Sequence, residues 1–207
     1  MSGVRATTVD TAPPPRRVCL YCGASFGDDP AYREGAVLVA RLLARSGIGV
    51  VYGGATGGLM GVVADAALAE GGEVIGILPA SMMAREIGHT GLTRLHVVET
   101  LHERKAMMAK LSDAFVALPG GFGTLEELFE VLSWAQIGLH RKPVALFNIA
   151  GFYDGLLAFL QTVTAQGFVR RESYDSLITE SAPDILLRRL LDFEPPQGDR
   201  WTPEVKP

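Results

Sequence analysis

The chain has 207 residues, 48% of them hydrophobic and 20% charged, proportions that are ordinary for a globular protein with one sizeable core. The formal net charge is −4 and no segment is dominated by Lys and Arg, which argues against a nucleic-acid-binding face. No apolar run reaches the length of a membrane span. Met1–Arg16 is rich in Thr, Ala and Pro and lacks the apolar core of a signal peptide. Pro13-Pro14-Pro15 cannot join the interior of a helix or sheet, so residues 1–16 are expected to form a loose tail, as is the Pro-rich stretch 194–207. One domain, 17–193, remains, with the cytoplasm as its default compartment.

Within that domain apolar runs alternate with helical periodicity. The runs are Val18–Cys22, Ile48–Tyr52, Val74–Leu78, Leu95–Val98, Ala114–Leu118 and Val144–Phe147. Between and after them helical patterns cover Ala31–Arg45, Leu59–Glu70, Leu101–Leu111, Leu125–Gly138, Tyr153–Gln166 and Asp184–Leu191, the last entered through Pro183. Unbroken apolar strands are buried on both faces. Their alternation with helices predicts an α/β class protein: a single Rossmann-like domain, with a parallel sheet and helices on both faces. Cys19-Leu20-Tyr21-Cys22 has the spacing of a redox motif, but it lies in a strand, where positions i and i+3 face opposite ways. Buried structural thiols are therefore expected.

In such a sheet ligands bind beyond the carboxyl ends of the strands. Three of those ends carry small residues: Gly23-Ala24-Ser25, Gly53-Gly54-Ala55-Thr56-Gly57-Gly58 and Pro119-Gly120-Gly121-Phe122-Gly123-Thr124. The third leads from an apolar strand through a glycine turn into a helix, the arrangement that aims free backbone N–H groups at a phosphate. None of the three contains Gly-x-Gly-x-x-Gly, and no acid follows where a dinucleotide site needs one for its ribose. Gly53 and Gly58 have the spacing of an NTPase phosphate loop, but Leu59 and Met60 stand where it needs Lys and Ser or Thr. His102-Glu103 begins a zinc-protease motif that Ala106 breaks, and the remaining histidines are scattered; no metal is expected.

An acid one turn inside a phosphate cradle is unusual, and Glu126-Glu127 supplies two. With the helix opening near Thr124, Glu127 projects toward the mouth of the cradle, Glu126 is rotated by about 100° from it, and Glu130 lies on the Glu127 side a turn further on. The bland explanation, that these acids complement the helix dipole, stays open beside a catalytic one. Arg104 and Lys105 stand in the first turn of the preceding helix, where cations oppose the dipole. A phosphate or carboxylate partner would explain them; so would a solvated basic face. Residues 79–86 and 88–94 read as a mobile loop, with Met82, Met83 and Glu86 as candidates to line the base end of a site.

Tyr52-Gly53-Gly54, Gly58-Leu59-Met60-Gly61, His102-Glu103-Arg104-Lys105 and Pro119-Gly120-Gly121-Phe122-Gly123-Thr124-Leu125-Glu126-Glu127 together resemble the LONELY GUY (LOG) family of cytokinin riboside 5′-monophosphate phosphoribohydrolases. The likeness runs from about Val18 to Ala182. It implies hydrolysis of the N-glycosidic bond of an N6-substituted AMP, giving the free base and ribose 5-phosphate, without a metal or other cofactor. It carries Arg104 and Glu127 over as catalytic. It carries Ser25, Glu86, Lys105, Gly121, Phe122, Gly123, Thr124, Leu125, Glu126, Glu127 and Ser133 over as substrate contacts, to which the convergence of loops adds Gly53 and Gly54. Ser133 stands where relatives often have Thr, keeping the hydroxyl; Ala55 stands where they often have Gly. The resemblance also implies a homodimer with its sites near the interface, which fits a Leu125–Gly138 helix that is apolar on two sides. A non-catalytic nucleotide-binding or carrier protein is the alternative from a different class.

Overall fold

The structure is a computed structural model that describes residues 16–83 and 88–196. Nearly all of both expected tails, and Glu86, lie outside the described residues. Seven strands form one parallel sheet: β1 (Arg17–Tyr21), β2 (Gly49–Tyr52), β3 (Val74–Pro79), β4 (Arg94–Val98), β5 (Ala114–Ala117), β6 (Val144–Phe147) and β7 (Ile178–Glu180). Their order is β4-β3-β2-β1-β5-β6-β7. The helices are α1 (Pro30–Arg45), α2 (Gly58–Ala69), α3 (Ala80–Met83), α4 (Leu101–Leu111), α5 (Phe122–Gln136), α6 (Asp154–Ala165), α7 (Arg171–Asp175) and α8 (Pro183–Leu191). The six predicted strands and six predicted helices are all present. The short α3, α7 and β7 were not foreseen: each is under seven residues, and β7 buries only Ile178.

The core divides into two layers, one on each face of the sheet. Val18, Leu20 and Cys22 pack with apolar residues of α1, α2 and α8; Cys19 and Tyr21 pack with those of α4, α5 and α6. The two cysteines thus point to opposite faces, both buried and free. Burial pushes both thiols far up, away from the reactive thiolate. Their structural role stands as expected.

Handedness explains which helices share a face. Strands β1 to β4 step outward in one direction, and right-handed crossovers put α1 and α2 on one side. The chain then returns from the edge strand β4 to the central β5, so the same handedness puts α4 on the opposite side, together with α5. The reversal falls between β1 and β5, where the Gly23 N–H donates to the Pro119 carbonyl at 3.0 Å and the Leu118 N–H to the Tyr21 carbonyl at 2.8 Å. A crevice opens at this point, where strand order reverses.

The glycine-rich loop after β2 serves packing. At the start of α2 the N–H groups of Leu59 and Met60 donate to the Gly23 carbonyl at 3.0 and 3.3 Å. Gly58 has φ +58°, and a Cβ there would lie 2.2 Å from the carbonyl carbon of Ala24. The loop after β1 is seated directly on the first turn of α2, which leaves no room for a side chain. Gly58→Ala is expected to cost at least about 1–3 kcal/mol, and a domain of this size loses roughly 2–4 °C in Tm per kcal/mol. Calorimetry checks this; an unchanged Tm would show that the two loops can separate without cost.

Candidate active site

The crevice holds a cavity of about 480 Å³. Its walls come from the loops after β1 (Gly23, Ser25, Phe26), β2 (Gly53, Ala55) and β5 (Gly120, Gly121), from Gly123, Thr124 and Glu127 of α5, and from Arg104 of α4. Leu59, Met60, Leu78, Met82, Tyr32 and Phe152 supply apolar wall. The three glycine-bearing strand ends therefore meet, as expected.

Helix α5 begins at Phe122, with Gly121 as N-cap, three residues before the predicted Leu125. The early start matters for the chemistry. The N–H groups of Phe122, Gly123 and Thr124 now form the first turn, no acid stands in that turn, and no side chain caps it. Glu126 and Glu127 fall in the second turn, beyond the reach of a simple dipole effect. Gly120 is required by close approach: a Cβ there would come within 2.1 Å of Thr124 Oγ1. The loop thus presents backbone amides to the cavity at the positive end of a helix, a ready anion site.

Glu127 is 7% exposed, and its Oε1 accepts from Arg104 Nη1 at 2.8 Å. Arg104 is held from behind, because its Nε donates to the Ile77 carbonyl within β3, at 3.1 Å. Gly53 makes room for the guanidinium: a Cβ there would lie 2.1 Å from Arg104 Nη2. Burial raises the Glu127 carboxyl above its ordinary value; Arg104 opposes this, and Glu126 adds to it. Desolvation wins, which poises Glu127 nearer to neutrality, as a general base requires.

The neighbouring pair behaves differently. Lys105, also buried, donates to Glu126 and lies 3.0 Å from Glu130 Oε1. Lys105 thus joins Glu126 and Glu130, at i and i+4 on α5, while Glu130 also neighbours Glu127 at i and i+3. Arg104 and Lys105 are the fourth and fifth residues of α4, past the expected first turn, which a capping box holds: the Glu103 N–H donates to Thr100 Oγ1 at 3.1 Å, while the Glu103 carboxylate accepts from the Thr100 N–H at 3.4 Å. The spacing Thr100-x-x-Glu103 was legible in the sequence and signalled this helix start.

Of the sequence-predicted residues, the cavity brings together Ser25, Gly53, Arg104, Gly121, Gly123, Thr124 and Glu127. It is not lined by Gly54, Lys105, Phe122, Leu125, Glu126 or Ser133. Gly54 accepts from the His89 N–H in a loop contact; Leu125, half-buried, packs against the core; Phe122 is 93% exposed. Met82 lines the cavity, whereas Met83 faces Gly88. Sequence reasoning missed the aromatic wall of Tyr32 and Phe152, which pack edge to face at 5.5 Å. Their separation in sequence gave no signal. Among the described residues no group of His, Cys, Asp and Glu could hold a metal ion, and no helix is long and apolar enough to cross a membrane.

The fold and site define a Rossmann-like α/β protein with an open helix N-terminus facing a buried Arg–Glu pair. Comparison with known proteins makes this specific. Residues 60–190 match a family model described as "Possible lysine decarboxylase". The chain is 43% identical over 180 residues to the cytokinin riboside 5′-monophosphate phosphoribohydrolase LOG of Oryza sativa subsp. japonica, spanning 87% of this chain and 74% of that protein. It is 42% identical to LOG7 of Arabidopsis thaliana, again over 180 residues, spanning 87% and 83%. The chain belongs to the LOG family of phosphoribohydrolases. Among solved structures, the molybdenum cofactor binding protein of Rippkaea orientalis superposes with a TM-score of 0.64 at 22% identity, covering 86% of this chain and 96% of that one; this likeness shows the fold. Among the described residues no lysine lines the cavity, and a lysine-based Schiff base, as that family description would suggest, needs a free amine there.

The raised Glu127 carboxyl has a consequence for stability. A folded-state value above the unfolded one contributes stability at low pH that is lost as pH rises through the folded value. Glu127→Gln carries no charge at any pH, so the difference in Tm between it and the unsubstituted chain is expected to move in favour of the variant between about pH 4 and about pH 8. Thermal unfolding at the two pH values checks this, and a gap of the opposite trend would mean that Arg104 outweighs desolvation.

Proposed function

We infer that this chain hydrolyses the N-glycosidic bond of cytokinin riboside 5′-monophosphates, N6-substituted AMP, to the free base and ribose 5-phosphate. The observation that carries this reading is the 2.8 Å Arg104–Glu127 pair set beside the open N-terminus of α5 within one cavity. Identity of 43% with a phosphoribohydrolase supports it. The alternative, a carrier without turnover, rests on a 22% likeness in fold alone.

The chemistry follows from the charges. The 5′-phosphate is held by the amides of Gly121–Thr124 and by the Ser25 hydroxyl, so the ribose lies toward Glu127. Breaking the bond between the base nitrogen and the anomeric carbon leaves the electron pair with the base and positive charge on the ribose, as in glycoside hydrolysis. The Glu127 carboxylate stabilises that charge and takes a proton from the water that bonds to the anomeric carbon; the departing base nitrogen takes up a proton in turn, and loss of the proton from Glu127 restores the carboxylate. Arg104 remains a cation; it orients Glu127 and offers its remaining N–H groups to the substrate. Remote binding of the phosphate contributes to the rate at the sugar. Leu78, Met60 and Met82 supply apolar surface for the base end. Plain AMP fits the same chemistry.

The protein acts as a cytoplasmic homodimer in this reading. Positions 122, 126, 129 and 133 form one stripe of α5, on which Phe122 is 93% and Phe129 39% exposed. A second copy covering this stripe would bury both rings and give Ser133 a site to face.

With AMP and isopentenyladenosine monophosphate as substrates, chromatography is expected to show release of free base. Glu127→Gln is expected to lower kcat by at least about a hundredfold while nucleotide affinity is retained; near-normal turnover would remove Glu127 from this role. Analytical ultracentrifugation at micromolar concentration is expected to give a dimer, and a monomer would contradict the proposed interface.

A further inference from the structure

Two consecutive residues of α4 engage three acids of α5, and the pattern fixes more than charge balance. Consecutive residues on a helix differ by about 100° in direction. Arg104 meets Glu127, while Lys105 meets Glu126 and Glu130, one turn apart on the adjacent stripe. Turning α5 by one residue would break both contacts together. Lys105 is 7% exposed, and its ammonium is spent on these two carboxylates at a point that does not line the cavity. Burial alone would push Lys105 down, yet the bonds to Glu126 and Glu130 hold it above its ordinary value, firmly charged.

We propose that Lys105 is a positioning residue: held between Glu126 and Glu130, it locks the rotation of α5 against α4 and thereby the aim of Glu127 at the bond to be broken. This rests on the hydrolase reading above and departs from the substrate contact that family resemblance implies for Lys105. The lock works where small displacements matter, because a misplacement of about 1 Å can cost about a hundredfold in rate. It also acts through charge. Glu127 is faced by Arg104 and Lys105 from α4, by Glu126 on its own helix, and by Cys19, Tyr21 and Cys22 along β1, which burial keeps neutral. Lys105 draws the Glu127 carboxyl down and Glu126 draws it up, so removing either should move its titration in opposite directions.

The experiment compares Lys105→Met, Lys105→Arg and Glu126→Gln with the unsubstituted chain. For AMP, Lys105→Met is expected to lower kcat about ten- to hundredfold with KM within about threefold, and Lys105→Arg, which can still bridge two acids, to recover most of the loss. Independently of turnover, the Glu127 carboxyl is followed by infrared difference spectroscopy, as the band that disappears in Glu127→Gln. It is expected to titrate at higher pH in Lys105→Met and at lower pH in Glu126→Gln. A raised KM with unchanged kcat in Lys105→Met would overturn the proposal in favour of direct substrate contact, as would a Glu127 band that moves in neither variant. Should the unsubstituted chain release no base from either nucleotide, the hydrolase reading fails, and the infrared titration still decides whether Lys105 governs Glu127. Should Lys105→Met fail to fold, Glu126→Gln and Lys105→Arg decide it by the same readouts.

Discussion

The site depends on one buried ion pair, Arg104 with Glu127, made between two helices that are distant in sequence. Removing a carboxylate from water is costly unless it is paired and hydrogen-bonded, and here the pairing is incomplete: burial still raises the Glu127 carboxyl. Arg104 draws the carboxyl toward its ionised form while burial draws it the other way, which leaves the acid ready to take a proton. Each supporting feature serves that balance. The Ile77 carbonyl fixes the guanidinium from behind, and Gly53 leaves the space it occupies. The meeting itself follows from chain topology. Because the crossover from the edge of the sheet back to its centre is right-handed, α4 has to lie on the same face as α5.

Two helices in this domain start after glycine-rich turns, and they start differently. The first amides of α2 are satisfied by the Gly23 carbonyl, and the loop after β1 closes over them. The first turn of α5 carries no side-chain cap and borders the cavity. The same composition therefore yields a packing joint in one place and an open helix start beside the cavity in the other. What separates them is which chain segment lies in front of the helix.

Much of this architecture was legible in the sequence, because the strands are unbroken apolar runs and the helices between them keep their period. The convergence of three strand-end loops followed from fold class alone. The start of α5 was not legible: Gly121 and Gly123 mask a helix in a propensity reading, yet both are helical or capping here because the first turn must approach the crevice closely. The partners of Lys105 were not legible either. Glu130 follows Glu126 by four residues and Glu127 by three, and both spacings make neighbours on a helix. Only the position of α4 shows that Lys105 joins Glu130 to Glu126. The Thr100–Glu103 capping box was readable and would have explained how two cations are tolerated in the next turn. Tyr32 and Phe152 belong to elements with no sequence link, and β7 is too short to announce itself.

The fold does not choose a function; structures at about 22% identity share it, and function resides in the site built on it. The choice is made by the sign of one side chain. A protein that only carried a nucleotide would gain affinity by surrounding the phosphate with donors, and a carboxylate nearby would weaken that binding. Glu127 is unfavourable for an anionic ligand at rest. In the proposed reaction it becomes favourable only when positive charge develops on the sugar, which is the condition for catalysis by differential binding. Keeping such an acid buried, aimed into the cavity and only partly neutralised makes sense for a protein that breaks the bond at the anomeric carbon, and has no evident use in one that merely holds the molecule.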